Sequence, residues 1–389
     1  MTSARPTRRS VLRGTAGALA GAAVGAPVAA RIVAEPAPAA LLPERKTKHV
    51  ILVAFAGGVR TRETLGAPDN VPTLKQMADE GVVYPRTRTS NLGHFGAALS
   101  IFTGIAEPRG IRENARGPDP TLFEYLRKEG GLSGSDVWMS TSGGAQQTNY
   151  AYSTHQDYGP RYGANTLDGD GVFNQEFKDL VNSLGRPREM EAREAELLER
   201  MRGSLGADDA AGVNSAATAR QVERYILDEL TRGTSDLRGV NAGDAKALQV
   251  ARNLMLFFKP KVLGVSLQNA DVAHGSYNSY VEVVRRNDAS LAELWKVVRD
   301  DAELRDSTAI FVLPEFGRDR DLNSRRGLDH GDGSDELNYV STVCWGPDFK
   351  SGKVVNQEVR TIDVCPTVCD LFGAKARFSR GDKLPQLFG

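Results

Sequence analysis

Continuous apolar runs recur along the chain, spaced so that a helix fits between most of them. The clearest are 49–55 (H-V-I-L-V-A-F), 261–267 (K-V-L-G-V-S-L), 309–313 (A-I-F-V-L) and 340–345 (V-S-T-V-C-W), with further runs at 82–84 and 136–141. Runs that lack polar alternation predict strands buried on both faces, as in a parallel sheet. Pro314 closes the third run, because proline has no N–H to give a ladder. Between the runs, 72–81, 98–104, 121–128, 278–299 and 361–372 read as helices. Leu74, Met77 and Ala78 in the first, and Leu291, Leu294 and Val298 in the longest, fall at helical spacing. The alternation predicts an α/β fold with a doubly wound, mostly parallel sheet.

Two stretches depart from this rhythm. Residues 142–172 are rich in Gly, Tyr, Asn and Gln without periodicity, and read as long surface loops; His155 lies among them and reads as a solvated side chain. Residues 174–258 shift to charged, helical sequence, with helices at 189–202, 216–230 and 245–257. They read as a helical insertion or cap on the sheet, and the charge pattern as a solvated face. The domain plan is then a leader over 1–30, a linker over 31–47, one α/β domain over 48–373 and a C-terminal tail over 374–389.

Composition changes this picture mainly at the start of the chain. The 389 residues are 40% hydrophobic and 25% charged, an ordinary globular balance, with formal net charge zero. Residues 1–30 hold Arg5, Arg8, Arg9 and Arg13 and no acid, leaving 45 basic against 49 acidic residues in the remainder. The arginine pair, the Ala/Gly-rich segment 14–27 and the small residues Val28-Ala29-Ala30 predict a twin-arginine export signal, and so a periplasmic or extracellular protein. No basic face suits nucleic acid, and no later run suits a membrane span. Cys344, Cys365 and Cys369 are too few for a disulfide framework and read as small buried side chains, with one bridge to Cys344 left open.

In open α/β sheets, ligands bind beyond the carboxyl ends of the strands. The residues delivered there are Asp271 and His274 after 261–267, Glu315, Arg318, Asp329 and His330 after 309–313, and His94 ahead of 98–104. Gly93 and Gly96 would let backbone approach a ligand. Carboxylate with imidazole is the donor set of a divalent metal, zinc first, with manganese, iron or calcium as alternatives. Asp271, His274, Asp329, His330 and Glu315 are the candidate ligands. His94, Glu315 and Arg318 are the candidate catalytic groups.

The order of these features resembles the alkaline phosphatase–sulfatase superfamily, and within it a secreted, twin-arginine-exported branch. The resemblance rests on the strand-Gly start at 50–60, P-T-L-K-Q-M-A-D-E-G-V-V-Y at 72–84, A-L-S-I-F-T-G at 98–104, Asp271-x-x-His274-Gly275, Glu315, Asp329-His330 and T-I-D-V-C-P-T-V-C-D-L-F-G at 361–373. It implies two metals flanking a Ser, Thr or formylglycine nucleophile and in-line displacement of a phosphate or sulfate ester. This chain departs from that pattern. Ala56 stands where a metal-binding Asp closes the first strand, His94 takes the nucleophile's position, Glu315-Phe316 replaces an Asp-His, and the Asp271–His274 spacing is one residue short. Ser90, Thr89 or Ser100 would be the nucleophile only on a locally shifted alignment. The expectation is an exported metal-dependent hydrolase of anionic small-molecule or polymer esters with an atypical, single-metal or rearranged site. Glu315 would serve as base or ligand and Arg318 as a clamp on the anion. The alternative is an inactive member retained for binding or structure.

Overall fold

The computed structural model describes residues 45–107, 115–142, 146–168, 237, 239 and 241–389. The export signal, most of the linker and the helices at 189–202 and 216–230 lie outside the described residues. The chain order is β1 (His49–Phe55), α1 (Pro72–Glu80), β2 (Val82–Arg88), α2 (His94–Thr103), α3 (Leu122–Lys128), β3 (Val137–Thr141), α4 (Gln146–Ala151) and β4 (Asn165–Asp168). Then follow α5 (Ala242–Phe257), β5 (Val262–Leu267), α6 (Tyr277–Asp300), β6 (Thr308–Pro314), α7 (Asp335–Asn338), β7 (Tyr339–Trp345), β8 (Lys353–Val354), β9 (Val359–Arg360) and α8 (Val364–Leu371).

One nine-stranded sheet carries all the described strands, in the order β4-β3-β5-β1-β6-β7-β2-β8, with β9 also on β2. From β4 to β6 every pairing is parallel. Only β7 runs against its neighbours β6 and β2, so the expected doubly wound, mostly parallel sheet is what forms. β1 is central, its register running from Phe55 opposite Leu267 on one side to Phe55 opposite Pro314 on the other. The strand at 309–313 thus reaches Pro314, which needs no N–H as the last residue.

Strand alternation divides the core. Ile51, Val53 and Phe55 face a layer made by α1, α5 and α6, with Met77, Leu254, Trp295 and Val298 among its buried residues. Val50, Leu52 and Ala54 face the other layer, where α2, α3 and α8 bring Phe102, Phe123, Val368 and Cys369. Both faces are therefore apolar, which is why the strands read as unbroken runs.

Three differences from the sequence reading follow from short or locally unpatterned segments. The presumed surface loops of 142–172 contain α4 and β4, and β4 adds an edge strand beside β3. The two-residue strands β8 and β9 carry no readable periodicity. Residues 374–389, set apart by sequence as a tail, return to the core through Leu384 and Leu387. All three cysteines are free and buried. No helix among the described residues is long and apolar enough to cross a membrane.

Candidate metal centre

Three post-strand segments and one helix start meet at the carboxyl edge of the sheet. After β5 the chain enters a 3-10 turn, Asn269–His274, that carries Asp271 and His274. After β6 come Glu315, Phe316, Gly317 and Arg318, and the loop returns with Asp329 and His330. His94 is the first residue of α2, behind the extended N-cap Gly93. A ring nitrogen of each of His94, His274 and His330 lies within 4.8 Å of the others, the only such group of three among the described residues.

The rings stand edge to face, His94 to His330 at 4.8 Å and His274 to His330 at 5.0 Å between centroids. Phe316 packs under both His94 and His330. Two imidazoles are braced from behind by carboxylates. His94 Nδ1 donates to Glu315 Oε1 at 2.5 Å, and His274 Nδ1 donates to Asp329 Oδ1 at 2.6 Å. Their Nε2 atoms turn inward to Asp271 Oδ1, at 2.8 Å from His94 and 3.3 Å from His274. The His94 contact is an ion pair off the line of a straight hydrogen bond. His330 has no side-chain hydrogen bond among the described residues.

Arg318 fills the space behind Asp271 and is fully buried. Its five N–H groups have five acceptors. Nε donates to Gly58 O (3.2 Å), Nη1 to Leu328 O and His274 Nε2 (both 3.2 Å), and Nη2 to Gly57 O (2.5 Å) and Asp271 Oδ1 (2.7 Å). The guanidinium has no donor left for a substrate. Glu315 is likewise sealed at 0% exposure, and its Oε2 has no partner. Asp271, at 49% side-chain exposure, is the most open of these groups, and His274, His94 and His330 are each partly exposed to a ligand.

Burial pushes the Glu315 carboxyl up to about 7, although His94 and Arg318 pull the other way. Burial pushes His94 down, but Asp271 and Glu315 on either side outweigh it and raise the imidazole to about 9. Burial likewise opposes ionisation of Asp271, and the adjacent His94 and Arg318 charges overcome it, holding the acid well below the ordinary range. His330 is pushed down to about 4 by burial and by the charges on His94, Arg318 and His274. Its ring is therefore neutral, with a free lone pair, across the neutral range.

A structure search with this fold matches alkaline phosphatase PafA. A substituted PafA aligns at TM-score 0.59 and 11% identity, covering 89% of this chain and 99% of that chain. Wild-type PafA aligns at 0.58 and 12%, covering 90% and 100%. The fold is alkaline-phosphatase-like. A phosphonate monoester hydrolase from Silicibacter pomeroyi also matches, at TM-score 0.47 and 16% identity over 87% of this chain and 76% of its own. No protein-family model and no curated protein sequence matches the chain.

Within this alkaline-phosphatase-like fold, all seven candidate residues gather at one place. Two of the hydroxyls near α2 do not join them: Ser100 is buried and donates to Gly96 O, and Ser90 pairs with Thr361. Gly96 makes room for Asn91 rather than a ligand, since a Cβ there would lie 2.8 Å from Asn91 Nδ2.

Two supporting groups were not apparent as such from the sequence. Gly57 and Gly58 supply carbonyls to Arg318, and a Cβ on Gly58 would sit 2.8 Å from Arg318 Nε at a φ of +65°. Arg60, bound twice to buried Glu63, donates to the carbonyls of Asp319 and Arg320 and so ties down the loop that brings His330. The basic residue just past the strand-Gly start was the available signal.

Proposed function

We propose that the protein is a metal-dependent hydrolase of phosphate or sulfate esters, exported by the twin-arginine route, whose ion is held by His94, His274 and His330. The observation that carries this reading is the convergence of three imidazoles, two of them braced by carboxylates. A carboxylate on one ring nitrogen fixes the tautomer and leaves the other nitrogen basic. His274 Nε2, which accepts from Arg318 Nη1 at 3.2 Å, would give that lone pair to the ion in place of the guanidinium. The donor set of imidazoles with the inward oxygen of Asp271 suits zinc first, with manganese and iron next. His330, neutral and without a hydrogen bond, is ready to ligate without losing another interaction. A bound ion would supply Lewis acidity toward an anionic ester oxygen.

The chain's own residues divide the remaining tasks. Glu315 works through His94, holding its Nδ1 proton so that Nε2 faces the site. Asp329 does the same for His274. Asp271, kept ionised by the buried Arg318 guanidinium, orients the proton of an incoming water or a departing alcohol. The N-terminus of α2 faces this edge, and its dipole favours an anionic ester. With an imidazole at that first position and Ser90 and Ser100 hydrogen-bonded elsewhere, water is the nucleophile in this reading.

A second reading, an exported binding protein on the same fold, is favoured by one observation: Arg318 has spent every donor inside the protein. One experiment separates the two. Purified protein is expected to carry near-stoichiometric metal by mass spectrometry, and His274→Ala to lose it. Aryl phosphate and sulfate esters are then expected to turn over with metal and stop on chelation. Metal without turnover on any ester supports the binding reading, and metal content indifferent to His274→Ala sinks the hydrolase.

A further inference from the structure

We infer that Arg318 is a fixed cation built into the site, and that it limits the centre to one metal ion per chain. The inference rests on the metal-dependent reading above. A guanidinium keeps its charge permanently, and this one is buried with its five donors matched to five acceptors. Two of those acceptors, Asp271 Oδ1 and His274 Nε2, also belong to the proposed ion's surroundings. A second divalent ion on that side would meet a like charge at close range, beyond the Asp271 carboxylate to which Arg318 donates at 2.7 Å.

The residues on that side also lack ligands to offer. Ala56, just past β1, offers only a methyl group, and the next two carbonyls, of Gly57 and Gly58, already accept from Arg318. At the end of β6, Glu315 Oε1 is taken by His94, Phe316 is apolar, and the one unpartnered oxygen, Glu315 Oε2, belongs to a side chain sealed at 0% exposure. The cradle is shaped for the guanidinium, since a side chain on Gly58 would collide with it. A buried charge set among matched acceptors is costly to break. The cation is therefore part of the fold, and no mobile side chain would vacate the space for an ion.

The test counts ions on full-length protein loaded with excess zinc and then desalted, by native mass spectrometry and elemental analysis. The wild type is expected to hold one ion. Ala56→Asp, which adds a carboxylate at the end of β1 but keeps the guanidinium, is expected to remain at one. Ala56→Asp with Arg318→Gln, which supplies the carboxylate and removes the charge, is expected to take two. Two ions in the wild type or in Ala56→Asp overturn the inference while the metal-dependent reading stands. A folded double variant that still holds one ion also overturns it. No ion in the wild type overturns both. If the double variant fails to fold, the first two counts still decide.

Discussion

At the scale of single residues, the distinction that matters is between a group that touches a ligand and one that holds such a group in place. Glu315 illustrates it. Its side chain is sealed, and its side-chain hydrogen bond is to His94 Nδ1. Glu315→Gln keeps the shape but weakens the acceptor, and zinc affinity, measured by chelator competition, is expected to fall about 10–100-fold. Unchanged affinity would mean that His94 is not a ligand. The sequence brought Asp271, His274, Glu315, Arg318, Asp329, His330 and His94 to one edge, because post-strand position is visible in hydrophobic pattern. It did not reveal their division of labour. That depends on which imidazole nitrogen turns inward and on the complete burial of Glu315 and Arg318, both of which arise from tertiary packing.

At the scale of elements, the post-β5 turn is fixed from below by α5. Asp244, in the first turn of α5, is fully buried. Its Oδ1 accepts from the main-chain N–H groups of Gln268 (2.8 Å) and Asn269 (3.0 Å) and from Ser142, and its Oδ2 accepts from Asn287 (2.7 Å). One carboxylate thus joins the ends of β3 and β5 to α5 and α6, two residues before Asp271. Asp244→Ala strands several buried donors and is expected to cost about 3 kcal/mol in urea denaturation, with metal content falling as the turn loosens. A loss below about 0.5 kcal/mol would show that water replaces the carboxylate freely. The long helices and buried strands were legible because their periodicity extends over many residues. β4, β8 and β9 were not, since two to four residues cannot display a period and their pairing depends on neighbours distant in sequence.

At the scale of the whole molecule, the site spans strands from the middle of a nine-stranded sheet, so ion binding and folding are linked. An ion that binds only the folded chain stabilises it by mass action, about 2.7 kcal/mol at a hundredfold excess over Kd. Thermal denaturation is accordingly expected to shift upward with zinc in the wild type and to stay put in His274→Ala; equal shifts in both would place the metal elsewhere. The mostly parallel sheet with helices on both faces was readable from sequence because both faces are covered and the central strands are largely apolar. The antiparallel β7 was not, since its apolar run has the same appearance in either direction.

The three imidazoles come from widely separated stretches: His94 at the start of α2, His274 beyond β5 and His330 beyond β6. No contiguous part of the chain that ends before residue 330 contains all of them. Occupancy by an ion would therefore record that the polypeptide has been made and assembled at least that far. A nascent or misassembled chain would lack that mark, and the metal would serve as a certificate of completion before it served any chemistry.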